Sequence, residues 1–394
     1  MRVEGGARRR GLWPKRLLFA LSCVIATATA AAQSPAGNLD TSSWFDGTVT
    51  GEGYGVVSQG FAPLAPDGWS WGSTTTLSAG LGVKGQRTSA EASFDGAALT
   101  GSQAAAAFVT AAQAGSGLIV EGTSEDAISF RLRTLWAKID YDWASLEFGR
   151  QVVNYGRGAL WSPADIFAFL DLSGATPDRL GTDAIRLKVP LGAVSGLDIV
   201  AEPTTDPVDG RYSARVFDEV LGVDSGLLGA WDGGAKRILA AGDCKFDFGP
   251  SYYLEALWSV DPSAPDPLGS SWTRAVAGLD WSTGDFLFAG EYYWNGAGAA
   301  AVTDIDYSFP SRQYIFATVV WDYSDFGFLS LAETLDAEGL LPRGAPWRTT
   351  AIFSLDASQN ATIEASLDAI RGDFVTMSGD GWTATLGASL VVKF

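Results

Sequence analysis

The sequence predicts an all-β protein: a closed antiparallel transmembrane β-barrel of about 18 strands (16 would also fit), with short turns at one end and long loops at the other. Three observations predict it. First, the last fourteen residues alternate with period two. Trp382, Ala384, Leu386, Ala388, Leu390, Val392 and Phe394 are apolar, and the positions between them, Val391 excepted, are small or polar. Such a strand has one face for an oily surrounding and one for a wet one. Left open it would be an aggregating edge, and pairing it with the first strand removes that edge. Second, the connections after residue 140 alternate strictly between tight and long. Third, no apolar run after residue 32 reaches the about 20 residues of a membrane helix, so a spanning structure has to be a barrel.

The chain opens with Arg2, Arg8, Arg9, Arg10, Lys15 and Arg16, then an apolar run from Leu17 to Ile25, then small residues to Ala30-Ala31-Ala32. This order reads as a secretory signal peptide over 1–32, leaving 33–394 as the barrel. A membrane-anchoring helix fits less well because the strongly apolar run is short. Lipidation at Cys23 fits less well because Ala20 stands where a lipobox usually has Leu. Removing the leader's six basic residues and one acidic residue takes the net charge from −18 to −23, which argues against nucleic acid and anionic lipid as partners.

Three strands are expected near Trp44–Val57, Ser73–Val83 and Thr88–Ala97, with a tight turn at Lys84–Arg87 and long loops at Ser58–Trp71 and Leu99–Asp126. Within the last of these, Ser102–Gln113 is Ala-rich and reads as a small helix or surface loop. From Ile128 onward fifteen more strands follow. In Ser251–Asp261, for example, Tyr252, Leu254, Ala256, Trp258 and Val260 oppose Ser251, Glu255, Ser259 and Asp261. The alternation of Ile238–Phe248 places Cys244 on the oily face. Tight turns fall near Asp140–Trp143, Pro190–Ser195, Phe248–Ser251, Ser282–Asp285, Asp322–Phe326 and Ala357–Asn360. Long connections fall at Val153–Thr182, Pro203–Gly210, Asp261–Ser270, Asn295–Arg312, Asp336–Pro346 and Gly372–Gly381. A short strand at Ser225–Trp231 keeps the alternation. Trp258, Trp281, Tyr292, Trp294, Trp321, Tyr323, Trp347 and Trp382 sit near strand ends, where interfacial girdles form.

The insertion 153–182 is expected to fold into or across the lumen. Within it Ser162, Pro163 and Asp165 predict a capped helix over Ala164–Asp171. The pattern G-R-Q at Gly149–Gln151, Y-G-x-G at Tyr155–Gly158 and S-P-x-D-x-F at Ser162–Phe167 resembles a motif of porin-like and carbohydrate-export outer-membrane barrels. A terminal Phe394 on an alternating strand likewise resembles the signature of bacterial outer-membrane β-barrels, where it is read by the barrel assembly machinery. The resemblance is confined to these stretches and the general layout. It implies residence in the bacterial outer membrane, in contact with its lipid.

With no histidine in the chain, Ser-His-Asp triads, Cys-His pairs and imidazole metal sites are excluded. With Cys244 the one cysteine after the leader, an internal disulfide and a thiolate zinc site are excluded. Acidic pairs in loops remain as acid–base candidates, but such pairs are usually solvated. The expectation is a non-enzyme without cofactor or metal: a channel for passive diffusion of small hydrophilic solutes, monomeric or trimeric. The alternative is a structural or adhesive surface protein with a plugged barrel. The expected lumen-lining charges are Arg131, Arg133, Arg186 and Lys188 as a basic ladder, Arg150 and Arg157 near the insertion, and Glu255, Asp280 and Glu291 on the opposite wall. Opposed charged walls would set up a transverse field that selects solutes, unless the charges merely pair with one another.

Overall fold

The computed structural model describes residues 48–65, 68–101, 118–123, 125–171, 178–298, 311–338, 347–359, 361–371 and 382–393. The leader, the Ala-rich Ser102–Gln113 and Phe394 lie outside the described residues, as does the side chain of Trp382. In chain order the strands are β1 Thr48–Ala65, β2 Gly68–Lys84, β3 Thr88–Gly101, β4 Leu118–Gly122, β5 Asp126–Asp140, β6 Ser145–Gln151, β7 Phe169–Asp171, β8 Asp178–Leu180, β9 Thr182–Pro190, β10 Gly196–Glu202 and β11 Arg211–Val220. They continue as β12 Val223–Asp232, β13 Arg237–Asp247, β14 Ser251–Val260, β15 Trp272–Thr283, β16 Phe286–Asn295, β17 Gln313–Ser324, β18 Gly327–Asp336, β19 Trp347–Ser358, β20 Ala361–Arg371 and β21 Trp382–Lys393. A single 3-10 turn forms at Pro207–Asp209, and Gly298 and Glu338 also take 3-10 conformation.

All pairings are antiparallel. Among the described residues nineteen strands form one sheet, and β7–β8 form a separate small one. β1 pairs with β2 on one side, from Thr48↔Lys84 to Ala65↔Gly68, and with β21 on the other, from Tyr54↔Lys393 to Phe61↔Leu386. The ladder therefore returns to its first strand through eighteen members, the nineteenth being β4, which lies on β5. The expected pairing of the last strand with the first is present, but the first hairpin differs from expectation. β1 and β2 run on through the stretch assigned to a long loop at Ser58–Trp71. Gly60, Gly68 and Gly72 hid the alternation there, and Pro63, which has no N–H to give, falls in the register shift between Phe61 and Leu64.

The period-two pattern sorts the side chains. Along β14 Tyr253, Glu255, Leu257 and Ser259 are buried while Leu254 and Trp258 are exposed. Leu227, Phe148, Ile185 and Leu331 are exposed on the same outer face of other strands, as a lipid-facing surface requires. Towards the tight turns the outer face carries stacked rings: Phe246 with Tyr252, Trp281 with Phe288, Phe286 with Trp321, and Tyr323 with Phe353.

One break in the wall positions the site. β3 covers β5 along its length, but on the other side β4 covers Ala127–Arg131 and β6 covers Leu135–Asp140. β6 ends at Gln151, and the chain turns from the wall to the inner face. There Val153, Tyr155, Ala164, Ile166 and Phe167 pack against Val200, Leu228, Leu239, Ala241 and Leu257 of the wall. A second cluster joins Leu160 and Trp161 to Val276, Tyr293 and Tyr314.

A loop latched to the inner wall

Between Val152 and Gly181 the described residues, 152–171 and 178–181, have few backbone hydrogen bonds of their own, so their N–H groups need acceptors from elsewhere. Two wall carboxylates supply them. Both Glu255 oxygens accept from Ser162 Oγ, at 3.1 and 3.3 Å; one also takes the Ala164 N–H, the other the Arg157 N–H at 3.0 Å. Glu291 takes the Ala159 N–H and the Tyr253 hydroxyl at 2.6 Å on one oxygen. On the other it takes the Leu160 and Trp161 N–H groups at 3.1 and 3.0 Å. Each oxygen accepts at least two donors, which an ionised carboxylate does with four lone-pair sites to offer.

Ion pairs add to the latch. Arg157 Nε reaches Asp243 at 2.8 Å, and Arg157 also lies 3.7 Å from Asp224. Arg179 holds Asp165 at 2.9 Å, and Asp165 accepts the N–H groups of Tyr155 and Gly156, both at 2.6 Å. Arg211 donates to the Ile166 carbonyl at 2.6 Å while bound to Glu202 at 2.5 Å. Trp161 stacks on Tyr293, centroids 5.3 Å apart and planes 11° from parallel. Tyr155 sits between Arg186 and Arg215, at 5.8 and 5.6 Å from its ring. Burial and then the charge of Asp198 push its hydroxyl above its ordinary pKa, so it is a neutral partner to Ser213 at 3.2 Å.

The helix expected over Ala164–Asp171 is absent. Only one turn forms, with the Asp165 N–H on the Ser162 carbonyl at 3.0 Å, and Phe169–Asp171 is β7. Ser162 and Asp165 were to cap that helix, but their side chains are taken by Glu255, Arg179 and the loop's own backbone.

Of the expected lining charges, Glu255 and Glu291 face inward but hold the loop, and Arg157 lies on the loop, anchored to an acidic wall residue. Arg150 is a correction. It stands opposite the outward Leu135 in the ladder and pairs on that outer face with Asp183, at 2.9 and 2.7 Å. Alternation counted from Phe148 would have placed it outside. Arg133 is inward and 3.3 Å from Asp95; Arg131 is two residues before it on the same run, ahead of the register shift. Arg186 is gripped by Asp198 at 2.6 to 3.1 Å. Asp280 is inward near the tight turns, 3.9 Å from Lys245. Lys188 makes no hydrogen bond or ion pair among the described residues. It lines, with Arg186, Arg215, Asp198 and the turn Gly192–Ser195, a cavity of about 570 Å³. A second cavity of about 340 Å³ lies between Asn154–Arg157 of the loop, Arg215 and Asp224. Sequence reading missed Asp243, Asp198, Arg215 and Trp161. The first three are inward by alternation on β13, β10 and β11, so strand facing could have found them.

No protein-family model matches the chain, and no curated protein matches it in sequence. Solved structures do resemble it in fold. Pseudomonas aeruginosa OpdK, solved with vanillate, has a TM-score of 0.55 at 9% identity over 87% of this chain and 99% of that one. Acinetobacter baumannii OccAB1 has a TM-score of 0.57 at 9% identity, over 88% and 96%. Pseudomonas aeruginosa OccK7 (OpdD) has 0.55 at 9%, over 89% and 99%. At these identities the likeness is one of fold: a large antiparallel β-sheet of the kind that these outer-membrane proteins form.

Proposed function

We propose that this chain is a closed outer-membrane β-barrel channel that passes small hydrophilic solutes down a gradient, narrowed by the 152–181 loop and favouring anions. The observation that carries the reading is an asymmetry of the inner wall. The acidic side, Asp243, Glu255 and Glu291, is occupied by loop donors. On the basic side Lys188, with no ion pair among the described residues, lines the cavity that the loop leaves open, beside Arg186 and Arg215, which are paired with Asp198 and Asp243. An anion in that space meets cations at short range, where screening over about 8 Å leaves them effective. The membrane placement rests on the outward apolar residues and the stacked outer rings, and on the fold shared with outer-membrane channels. Assembly through a carboxy-terminal Phe394 and the lumen-lining role of Arg131 and Arg133 belong to the same proposal.

The test is a planar bilayer under a potassium chloride gradient. Conductance with an anion-leaning reversal potential is expected, and replacing Arg131 and Arg133 together should move that potential towards cations more than replacing any two loop aspartates. A silent barrel would favour a plugged surface protein, and an equal or smaller shift would mean that charges at the mouth decide selectivity.

A further inference from the structure

The two cavities on the basic side meet at three residues, Val194, Arg215 and Phe217, which line both. Phe217 projects inward from β11 with a glycine on either side of it in the ladder, Gly196 on β10 and Gly226 on β12. A Cβ on Gly196 would lie 2.6 Å from the Phe217 ring, so that position is bare where the ring lies against β10. A Cβ on Gly226 would run into Arg215 Nη2 and Asp243 Oδ2, so the second bare position lets Arg215 reach over β12 to β13. There Nη2 donates to both Asp243 oxygens, at 3.0 and 2.9 Å, in an ion pair nearly closed to solvent. The same guanidinium lies 5.6 Å from the ring centroids of Phe217 and of Tyr155 on the loop.

The ring is thus held between the β10 backbone and a guanidinium that is itself tied to β13 and to the loop, and a side chain packed in this way keeps one rotamer. We propose that Phe217 sets the upper size of the solutes that pass along this side of the lumen. A solute moving from the cavity of about 340 Å³ beside the loop to the one of about 570 Å³ beside the tight turns has to clear the ring between them. Phe217 carries no hydrogen-bonding side-chain group, so the barrier is steric and falls alike on neutral and charged solutes. That separates it from the charge preference set by Lys188. The inference rests on the channel reading and narrows its solutes to compact ones, of the size of a single sugar ring rather than a chain of three.

Swelling of liposomes that carry the full chain, in the neutral sugars arabinose, sucrose and raffinose, reads the size limit without any contribution from charge. Wild type should admit arabinose fast and raffinose slowly. Phe217→Ala should raise the ratio of raffinose to arabinose rates more than threefold. Leu227→Ala, on the outer face of β12, should leave that ratio unchanged. If Phe217→Ala loses its heat-modifiable migration, Phe217→Leu is read instead; it removes the ring but keeps an apolar side chain, so a smaller rise in the same direction is expected. A wild type closed to arabinose would overturn the channel reading and the size limit with it. Arabinose entry with an unmoved ratio in the folded Phe217 variant overturns the size limit alone, as does an equal rise in Leu227→Ala.

Discussion

Glu255 and Glu291 hold the loop through acceptors alone, which makes their replacement by an amide informative. Whichever way the Gln of Glu291→Gln is turned, its NH2 meets donors: the Ala159 N–H and Tyr253 hydroxyl, or the Leu160 and Trp161 N–H groups. Each donor left unfilled costs about 1–3 kcal/mol. Trypsin should therefore cut faster at Arg157 and Arg179 in Glu291→Gln than in wild type, and equal rates would mean the carboxylate is not the latch. Trp161→Ala should act the same way through lost packing, at about 3–5 kcal/mol for a buried Trp. Gly158 is a third lever, because a Cβ there would lie 1.7 Å from the Trp161 carbonyl oxygen. Gly158→Ala should loosen the loop, whereas Gly229→Ala, where a Cβ meets nothing within 4 Å, should not.

The strands of the large sheet from β5 onward were legible in the sequence, because one face of each meets apolar and the other polar surroundings and period two records that directly; β7 and β8, inside the connection 153–182, were not. Asp140–Trp143, Pro190–Ser195 and Phe248–Ser251 came out as turns because Gly, Pro, Ser and Asp cluster there. The loop's conformation was not legible: Ser162 and Asp165 suit a helix cap, and only the approach of Glu255 and Arg179 diverts them. Nor were the charge pairs, since alternation says that Arg186 and Asp198 face inward but not that they meet. That pairing matters for selectivity. Lys188 carries a charge without an opposite partner among the described residues, while Arg186 and Asp198 cancel. Lys188→Gln should thus move the reversal potential towards cations, and the charge-balanced double replacement Arg186→Gln with Asp198→Asn should move it less. A larger shift from the double replacement would show that the pair, not the lone cation, faces the solute path.

As a whole molecule, the chain is a ladder that pairs back onto its first strand and carries a latched loop on its inner face. The cyclic pairing leaves no strand edge along β1 or β21 between Tyr54 and Phe61, so the native sheet should resist dodecyl sulfate until heated and migrate faster unheated on a gel. A chain that runs as a detergent-independent soluble monomer would remove the membrane reading altogether. The loop raises a separate question, because the same contacts would serve a narrowed channel or a sealed one. Its two feet, Leu160–Trp161 on Tyr293 and Ile166–Phe167 on the Val200–Leu239 side, both fall within Gly158–Asp171. Single-channel conductance of the full chain against the chain lacking Gly158–Asp171 is therefore the most direct test. A several-fold rise on deletion, with the barrel still heat-modifiable, is predicted; unchanged conductance would place the loop outside the path of the solute and contradict the account.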